Sequence, residues 1–281
     1  MLLSVVIITL NEEANIGRLL VSVQPLVADG KGEIIIVDSG STDRTVAIAR
    51  SYGAKVFVEQ WQGYAAQKNS AIDRATGDWI LSLDADEEVD RELLHELLGD
   101  RKSVSDSATT GYQWCLTMRG SGARRRGAAD GFFIPRKNYF MGRWIKHGGF
   151  WPDPKLRLFR RERGQFEDRA VHEDAQIEGP TEVIACGALI HHSYPTLADY
   201  IEHMNRYSSL GAEMVAAKSE VGFRFRDIVA RPWLTFIYNY FFRLGFLDGR
   251  EGLLLHLYHA VYVSWKYAKA WELSRSRITS S

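Results

Sequence analysis

The sequence predicts an α/β protein with a mainly parallel central sheet covered by helices, followed by a helical, amphipathic C-terminal extension. Through the first hundred residues, apolar runs rich in β-branched residues alternate with helical patterns, and this alternation is typical of a parallel sheet. From Leu197 onwards, apolar residues recur every three or four positions, which is typical of helices that bury one face.

Four strands are predicted in the first hundred residues, because each is a short apolar run bounded by turn residues. They cover residues 4–10, 33–37, 55–58 and 79–83. Helices are predicted at residues 14–23, 45–52, 64–75 and 91–98. Gly53 and Gly77 follow two of these helices, where a left-handed residue commonly ends a helix.

The second half is predicted to continue the sheet. Apolar runs predict strands at residues 110–118, 156–159 and 183–191, and a basic, glycine-containing loop is predicted at residues 119–131. The following helical stripe is predicted to be one buried face, formed by Leu197, Ile201, Met204, Tyr207, Gly211 and Met214. These patterns divide the chain into a domain at residues 1–222, with halves at 1–100 and 101–222, and a helical region at residues 223–281.

The formal net charge is zero, but the charge is unevenly distributed. Residues 1–100 contain 8 basic and 17 acidic residues, a balance of −9, whereas residues 224–281 contain 9 basic and 4 acidic residues, a balance of +5. An acidic front suits metal binding and a basic, aromatic tail suits anionic surfaces. Uneven solvation alone is the alternative interpretation.

Cysteine content and the N-terminal segment indicate the compartment. Cys115 and Cys186 are too few for a disulfide framework and favour a reducing environment. The apolar run at residues 2–10 lacks a basic leader and a small-residue cleavage site, so it is interpreted as a strand rather than a signal peptide. A cytoplasmic protein is therefore expected.

Polar residues follow three of the predicted strands. Asn11, Asp38 and Asp84 each come directly after a strand, and the carboxyl ends of parallel strands meet at one edge of a sheet, where ligands bind. Asp86 follows Asp84 with only Ala85 between them. Because carboxylates are hard ligands that suit Mg²⁺ or Mn²⁺, the pair predicts a site for a metal and a diphosphate. A solvated turn is the alternative for the pair taken alone.

Three segments together resemble the family 2 glycosyltransferases. They are SVVIITLNEE at residues 4–13, IVDSGSTD at residues 36–43 and DADE at residues 84–87. The resemblance implies the GT-A fold, a nucleotide-diphosphate sugar donor bound by the first hundred residues, a divalent metal and inversion at the anomeric carbon. Residues 151–159, 171–173 and 243–249 further resemble the branch that contains the lipopolysaccharide inner-core β-1,4-glucosyltransferases.

The resemblance also implies roles for residues around the nucleotide. Asp38 would read the base by accepting the uracil N–H, and the backbone around Thr9 and Asn11 would line the same pocket. A turn formed by the Asp38 side chain is the alternative. Lys68 would lie near the nucleotide, with an ordinary surface lysine as the alternative.

In the acidic motif, Asp84 would contact the ribose and Asp86 the metal, with Ala85 beside the nucleotide sugar. His191, at the end of an apolar run, is a candidate further metal ligand, and a histidine packed at a strand end is the alternative. Glu173 matches the place of the catalytic base, which would deprotonate the acceptor hydroxyl. Asp174 is its rival, and a salt-bridged turn is the alternative to both.

Arginines are candidate contacts for acceptor phosphates, since guanidinium pairs well with phosphate oxygens. They are Arg157 and the triplet at residues 124–126, for which a solvated loop is the alternative.

The tail contains two aromatic, apolar segments at residues 233–242 and 252–265. Each is interrupted or flanked by charge and is shorter than the ~20 residues that span a bilayer. Aromatic residues interleaved with arginine and lysine favour a membrane surface, here the cytoplasmic face of the inner membrane. A lid, or contact with a second subunit through these helices, is the alternative.

The expected activity is the transfer of a hexose, with UDP-glucose as the donor, to a lipid-linked lipopolysaccharide inner-core acceptor. A polyprenyl phosphate or another envelope glycan is the alternative acceptor. A non-catalytic nucleotide-sugar-binding membrane scaffold and a nucleotidyltransferase are alternatives of other classes. No nucleic-acid partner is expected.

Overall fold

The computed structural model describes residues 2–99, 129–167, 175–218 and 222–279, with side chains to residue 275. The chain groups into two units, each described by itself. The sheet unit comprises residues 1–136 and 154–191, and the helical unit comprises residues 137–153 and 192–281. The boundary expected between residues 222 and 223 stays a prediction.

The strands of the described residues are, in chain order, β1 (Leu3–Thr9), β2 (Gly32–Asp38), β3 (Lys55–Val58), β4 (Trp79–Asp84), β5 (Glu87–Val89), β6 (Gly131–Ile134), β7 (Arg136–Phe140), β8 (Arg143–Trp144), β9 (Lys155–Arg160), β10 (Gly164–Phe166), β11 (Ala175–Ile177), β12 (Thr181–Val183) and β13 (Leu189–Tyr194). The α-helices are α1 (Ile16–Val27), α2 (Thr45–Ser51), α3 (Tyr64–Asp73), α4 (Arg91–Leu98), α5 (Leu197–Lys218), α6 (Arg231–Ile237) and α7 (Gly249–Thr279).

The main sheet of the sheet unit has the order β12-β6-β9-β4-β1-β2-β3. Strands β1 to β4 pair in parallel, β9 is antiparallel to both β4 and β6, and β12 is parallel to β6. The four strands predicted in the first hundred residues are confirmed, with ends shifted by at most one residue. The strand predicted at residues 110–118 lies outside the described residues.

Alternation along the strands supplies two cores, one on each face of this sheet. Val5 and Ile7 of β1 belong to the cluster that contains the buried face of α1, whereas Val6 belongs to the cluster that contains α3. Helix α4 begins at Asp90, whose side chain accepts a hydrogen bond from the Leu93 N–H at 2.8 Å. Helices therefore cover both faces and leave the strand ends at the edge.

The single strand predicted at residues 183–191 is wrong, since the structure has two strands there, β12 and β13. Between them Gly187 has φ of 85°, which breaks the extended backbone. A Cβ at this position would lie 2.1 Å from the Leu93 nitrogen. Apolar residues continue through the break, with Ile184 buried before it and Ala188 and Leu189 buried after it, so hydrophobicity alone does not show the turn.

In the helical unit, α5 packs against the long helix α7. The predicted buried stripe of α5 is partly wrong, because Met214 is 43% exposed. The most buried residues instead recur at every fourth position and include Tyr200, Ser208, Ala212 and Ala216. Three of these four are small, which allows the two helices to approach closely.

Two π-helical segments, Arg226–Ala230 and Tyr238–Phe242, flank the short helix α6. Within the described part of the chain, we find no helix with both the length and the apolar character needed to cross a membrane.

Candidate functional site

The carboxyl ends of β1, β2 and β4 adjoin at one edge of the sheet, as the sequence predicts. Thr9 pairs with Asp38 in the strand register, and Ile8 pairs with Asp84. The Thr9 hydroxyl donates a hydrogen bond of 2.8 Å to Asp38 Oδ2. The sheet topology thus brings together residues that are far apart in sequence.

Asp38 is fully buried and orders the loop that follows β2. Its Oδ1 accepts hydrogen bonds from the N–H groups of Gly40 at 3.0 Å and Ser41 at 2.8 Å. Its Oδ2 accepts from the Ser41 hydroxyl at 2.5 Å and from Thr9. Four bonds fill the usual capacity of a carboxylate. The turn considered as the alternative for Asp38 is therefore present, and base recognition stays a prediction.

Asn11 joins the loop after β1 to the loop after β2. Its N–H donates to the Ser41 hydroxyl oxygen at 2.8 Å, and its Oδ1 accepts from the Thr42 N–H at 2.9 Å. Asn11 has φ of 55°, a left-handed conformation that asparagine tolerates better than most residues. The two loops expected to line a base pocket are thus fixed to each other.

Asp84 lies at the end of β4 and is held by two cations. The Lys68 Nζ is 3.0 Å from Asp84 Oδ1, and the Arg157 guanidinium forms an ion pair with Asp84 Oδ2. Burial by itself would raise the pKa of Asp84, but the charges of Arg157 and Lys68 hold it well below its usual value. Asp84 is therefore a carboxylate at any physiological pH.

Arg157 also binds Glu87, which is fully buried, at 2.7 Å. Glu87 Oε2 in turn accepts a hydrogen bond from the Asp84 N–H at 3.0 Å. Arg157 is only 5% exposed, so the prediction that it meets an acceptor phosphate is wrong. The arginine instead fixes the backbone and side chain of the acidic turn from inside the unit.

Lys68 is buried on α3, with 6% of its surface exposed and its Nζ 5.1 Å from the centre of the Phe166 ring. The surface-lysine alternative is therefore wrong. A contact with nucleotide stays a prediction.

Asp86 and His191 pair with each other at the acidic turn. His191 Nε2 lies 3.1 Å from Asp86 Oδ2, and the two side chains are 16% and 26% exposed, respectively. Strand β13 pairs with β5 and places His191 opposite Glu87. Burial raises the pKa of Asp86, but the neighbouring His191 more than offsets this, so the pKa lies below its usual value.

Ala85, between the two aspartates, is buried, and its place beside a nucleotide sugar stays a prediction. No cluster of three or more histidine, cysteine or acidic side chains with metal-binding geometry is found among the described residues.

Glu12 is a further carboxylate near this turn that sequence reasoning did not single out. Its pKa is raised chiefly by burial; a hydrogen bond from Asn15 opposes the shift, whereas the charges of Asp86, Asp43 and Asp84 add to it. The signal in the sequence was its position immediately after Asn11, at the end of β1.

The catalytic-base candidates Glu173 and Asp174 lie outside the described residues, as does the arginine triplet at residues 124–126. Their roles stay predictions.

The parallel strands, the helices on both faces and the acidic turn at the carboxyl edge define a glycosyltransferase of the GT-A fold. The chain belongs to glycosyl transferase family 2, whose sequence profile matches residues 4–163. It is therefore an enzyme of that family.

Relatives extend this likeness along the chain. The lipopolysaccharide core biosynthesis glycosyltransferase LpsC of Rhizobium meliloti (strain 1021) is 30% identical over 276 residues, which cover 96% of this chain and 92% of LpsC. An uncharacterized glycosyltransferase of Rickettsia typhi is 29% identical over 280 residues, covering 97% and 87% of the two chains.

A solved structure supports the fold. The mannosyltransferase PcManGT from Pyrobaculum calidifontis, in complex with GDP-Man and Mn²⁺, matches with a TM-score of 0.50 at 16% identity. The match covers 95% of this chain and 86% of that protein.

Proposed function

We propose that the protein transfers a hexose from UDP-glucose to a lipid-linked lipopolysaccharide inner-core acceptor, with inversion at the anomeric carbon. The likeness to LpsC along 96% of the chain supports this class of acceptor. The observation that carries the proposal is the acidic turn at the carboxyl edge of the sheet, where buried cations fix Asp84 and where Asp84, Asp86 and His191 all stay partly exposed.

The donor would bind across the loops after β1, β2 and β4. Lys68 and Arg157 keep Asp84 ionised and in place, so that it can accept a hydrogen bond from a ribose hydroxyl. The uracil N–H would replace one of the four hydrogen bonds now made to Asp38, and the Ser41 hydroxyl, which can rotate, is the most readily displaced. Thr9 and Asn11 would then shape the base pocket.

A divalent ion, Mg²⁺ or Mn²⁺, fits the donor set of the turn. Asp86 offers a carboxylate oxygen and His191 a ring nitrogen, and these two atoms lie next to each other. The nearby carboxyl groups of Asp84 and Glu12 favour the binding of a positively charged ion. Asp86 would hold the ion with His191 as a second ligand. When bound, the ion would offset the charge that develops on the leaving diphosphate.

Glu173 is proposed as the base that deprotonates the acceptor hydroxyl during attack. Glu173→Gln should retain UDP binding and lose transfer, because an amide keeps the shape of the side chain but cannot accept the proton. Wild-type turnover in this variant would assign the role to Asp174.

Residues 223–281 are proposed to attach the protein to the cytoplasmic face of the inner membrane, which would bring the active site to a lipid-linked acceptor. The exposed aromatic side chains of this region support the proposal. Contact between copies of the chain through these helices is the alternative.

The experiment that tests the donor site is calorimetry with UDP, GDP and UDP-glucose, with Mg²⁺ or Mn²⁺ and again with EDTA. The variant Asp86→Asn is compared with Glu88→Gln, a matched control two residues away whose carboxylate pairs with Arg18 at 3.2 Å. We expect metal-dependent, uridine-selective binding, and a loss of kcat/KM of about 100-fold or more for Asp86→Asn alone. Full activity in Asp86→Asn would refute the metal role of this residue.

A further inference from the structure

One surface of the helical unit is unusually apolar. Six side chains between residues 225 and 242 are between 53% and 74% exposed, and we call them the aromatic surface: Phe225, Trp233, Leu234, Tyr238, Phe241 and Phe242. Large apolar side chains that are this exposed, and this close together along the chain, indicate a binding surface.

A pocket opens within this surface. It has a volume of about 480 Å³ and is lined by Arg226, Arg231, Leu234, Thr235 and Tyr238. Two guanidinium groups and a hydroxyl thus share one wall with a leucine and a tyrosine ring. A ligand that fits such a lining is anionic at one end and apolar at the other.

Arg231 is already held in position. Its Nη1 donates a hydrogen bond of 2.8 Å to the Tyr267 hydroxyl, and its guanidinium carbon lies 4.8 Å from the centre of the same ring. Its Nη2 is 3.1 Å from Asp227 Oδ1, which also lies 3.4 Å from Arg226 Nε. Asp227 therefore neutralises one of the two arginines and leaves a net positive pocket.

The charge around the pocket favours an anionic partner. Residues 222–250 contain five arginines and two aspartates. Asp248 is 2% exposed and is bonded to the His147 ring at 2.9 Å, so it contributes little to the surface. This segment of the chain therefore has a positive balance, which complements a phosphate-rich surface.

The backbone at the pocket is also irregular. Arg226 belongs to one π-helical segment and Tyr238 to the other, so the helical turns on both sides of α6 are wider than usual. Such turns occur frequently at functional sites. They place Arg226, Arg231 and Tyr238 around one opening.

We propose that this arginine pocket binds the phosphate of an anionic phospholipid headgroup, while the acyl chains of the lipid lie against the aromatic surface. The proposal rests on the membrane attachment proposed above and names the lipid class that the attachment requires. Free phosphate would pair with the arginines but would leave Leu234 and Tyr238 uncovered, whereas a phospholipid satisfies both kinds of lining.

The test is flotation of the full chain with vesicles of phosphatidylcholine alone and of phosphatidylcholine mixed with phosphatidylglycerol. The double variant Arg226→Gln/Arg231→Gln is compared with Arg224→Gln/Arg250→Gln, which removes the same two charges outside the pocket. Both variants lose general attraction to the anionic vesicles. The pocket variant should lose about tenfold more partitioning than the control, because it also loses charge-assisted hydrogen bonds to phosphate.

The outcomes separate this proposal from membrane attachment in general. If the wild-type chain floats with neither vesicle, attachment itself is refuted. If it floats equally with both, or if both double variants lose binding equally, attachment stands and the arginine pocket is refuted. Displacement from anionic vesicles by inorganic phosphate at constant ionic strength would assign the pocket to free phosphate and overturn the lipid assignment.

A single variant serves as the control for misfolding. Since Arg231 donates to Tyr267, the single variant Arg226→Gln, whose side chain is 72% exposed, is measured as well. It should fold like the wild type and lose part of the preference for phosphatidylglycerol. An unchanged preference for phosphatidylglycerol in this variant would count against the pocket. So would a dimer detected by light scattering, if dimer formation covered the aromatic surface.

Discussion

The two units depart from the usual distribution of side chains in opposite ways. The sheet unit buries charge, with Glu87 at 0% and Arg157 at 5% exposure, whereas the helical unit leaves Phe242 74% exposed. Charged residues are usually outside and aromatic ones inside. The buried charges find their partners within the sheet unit, but the exposed aromatic side chains face solvent. The buried charges therefore need no further partner, whereas the exposed aromatic side chains require one.

The largest expected effect comes from breaking the buried charges. Arg157→Met should lower the free energy of unfolding by about 3–5 kcal/mol, because the buried Glu87 would lose the nearer of its two cationic partners and Asp84 would lose one of its two. Arg160→Gln is the matched control on the same strand, since Arg160 pairs with Asp130 at 2.9 Å and is 44% exposed. It should cost about 1 kcal/mol or less. Urea unfolding measures both, and equal losses would remove the contrast between buried and exposed pairs.

The helical unit also buries the imidazole of His256, and this predicts a dependence of stability on pH. His256 is 1% exposed, and neither ring nitrogen has a hydrogen-bond partner among the described residues. Burial, and to a lesser degree the charge of His259, lowers the pKa of His256 from 6.5 to about 4, against the opposing effect of Asp248. The unfolded chain therefore binds more protons than the folded chain between these values.

The free energy of unfolding should fall as the pH is lowered from about 6.5 to about 4, by up to about 3 kcal/mol from this residue. Above pH 6.5 the residue contributes no slope. His256→Leu isolates the effect, because other groups titrate in the same range in both proteins. Parallel stability curves for the wild type and His256→Leu between pH 4 and 7 would contradict the assignment.

Local patterns predicted the first hundred residues well. The strands β1 to β4 are short, strongly apolar and bounded by polar turns, so each could be located to within one residue. The convergence of Asn11, Asp38 and Asp84 followed from topology alone, because parallel strands carry their carboxyl ends to one edge. The position of residues that directly follow a buried strand could be predicted without knowledge of the rest of the chain.

Features that depend on distant contacts could not be predicted. The burial of Arg157 is set by Glu87, which is 70 residues earlier and on a different strand. The break at Gly187 depends on its contact with Leu93, and the buried face of α5 depends on which row of small residues meets α7. In each case the sequence shows the local pattern but not the distant residues that it contacts.

A smaller effect is expected from single side-chain hydrogen bonds at the sheet edge. Thr9→Val removes the 2.8 Å bond to the buried Asp38 and should cost about 1–2 kcal/mol in the free energy of unfolding. Thr42→Val is the control, because the Thr42 hydroxyl is exposed and lies 3.4 Å from Asn11 Oδ1. It should change stability by about 0.5 kcal/mol or less. A similar cost for both would mean that burial of Asp38 does not strengthen its bonds.

The smallest effect on stability is expected at Phe242, although its side chain is large. Phe242→Ser should change the free energy of unfolding by about 0.5 kcal/mol or less, because a ring that is 74% exposed gains little from folding. The same variant should reduce flotation with anionic vesicles, since burial of an aromatic ring in lipid is lost. Phe140→Ser, which removes a ring that is 1% exposed in the same unit, should instead destabilise by about 3 kcal/mol or more. If Phe242→Ser proved as destabilising as Phe140→Ser, the aromatic surface would be part of the core of the helical unit, and its exposure would no longer indicate a missing partner.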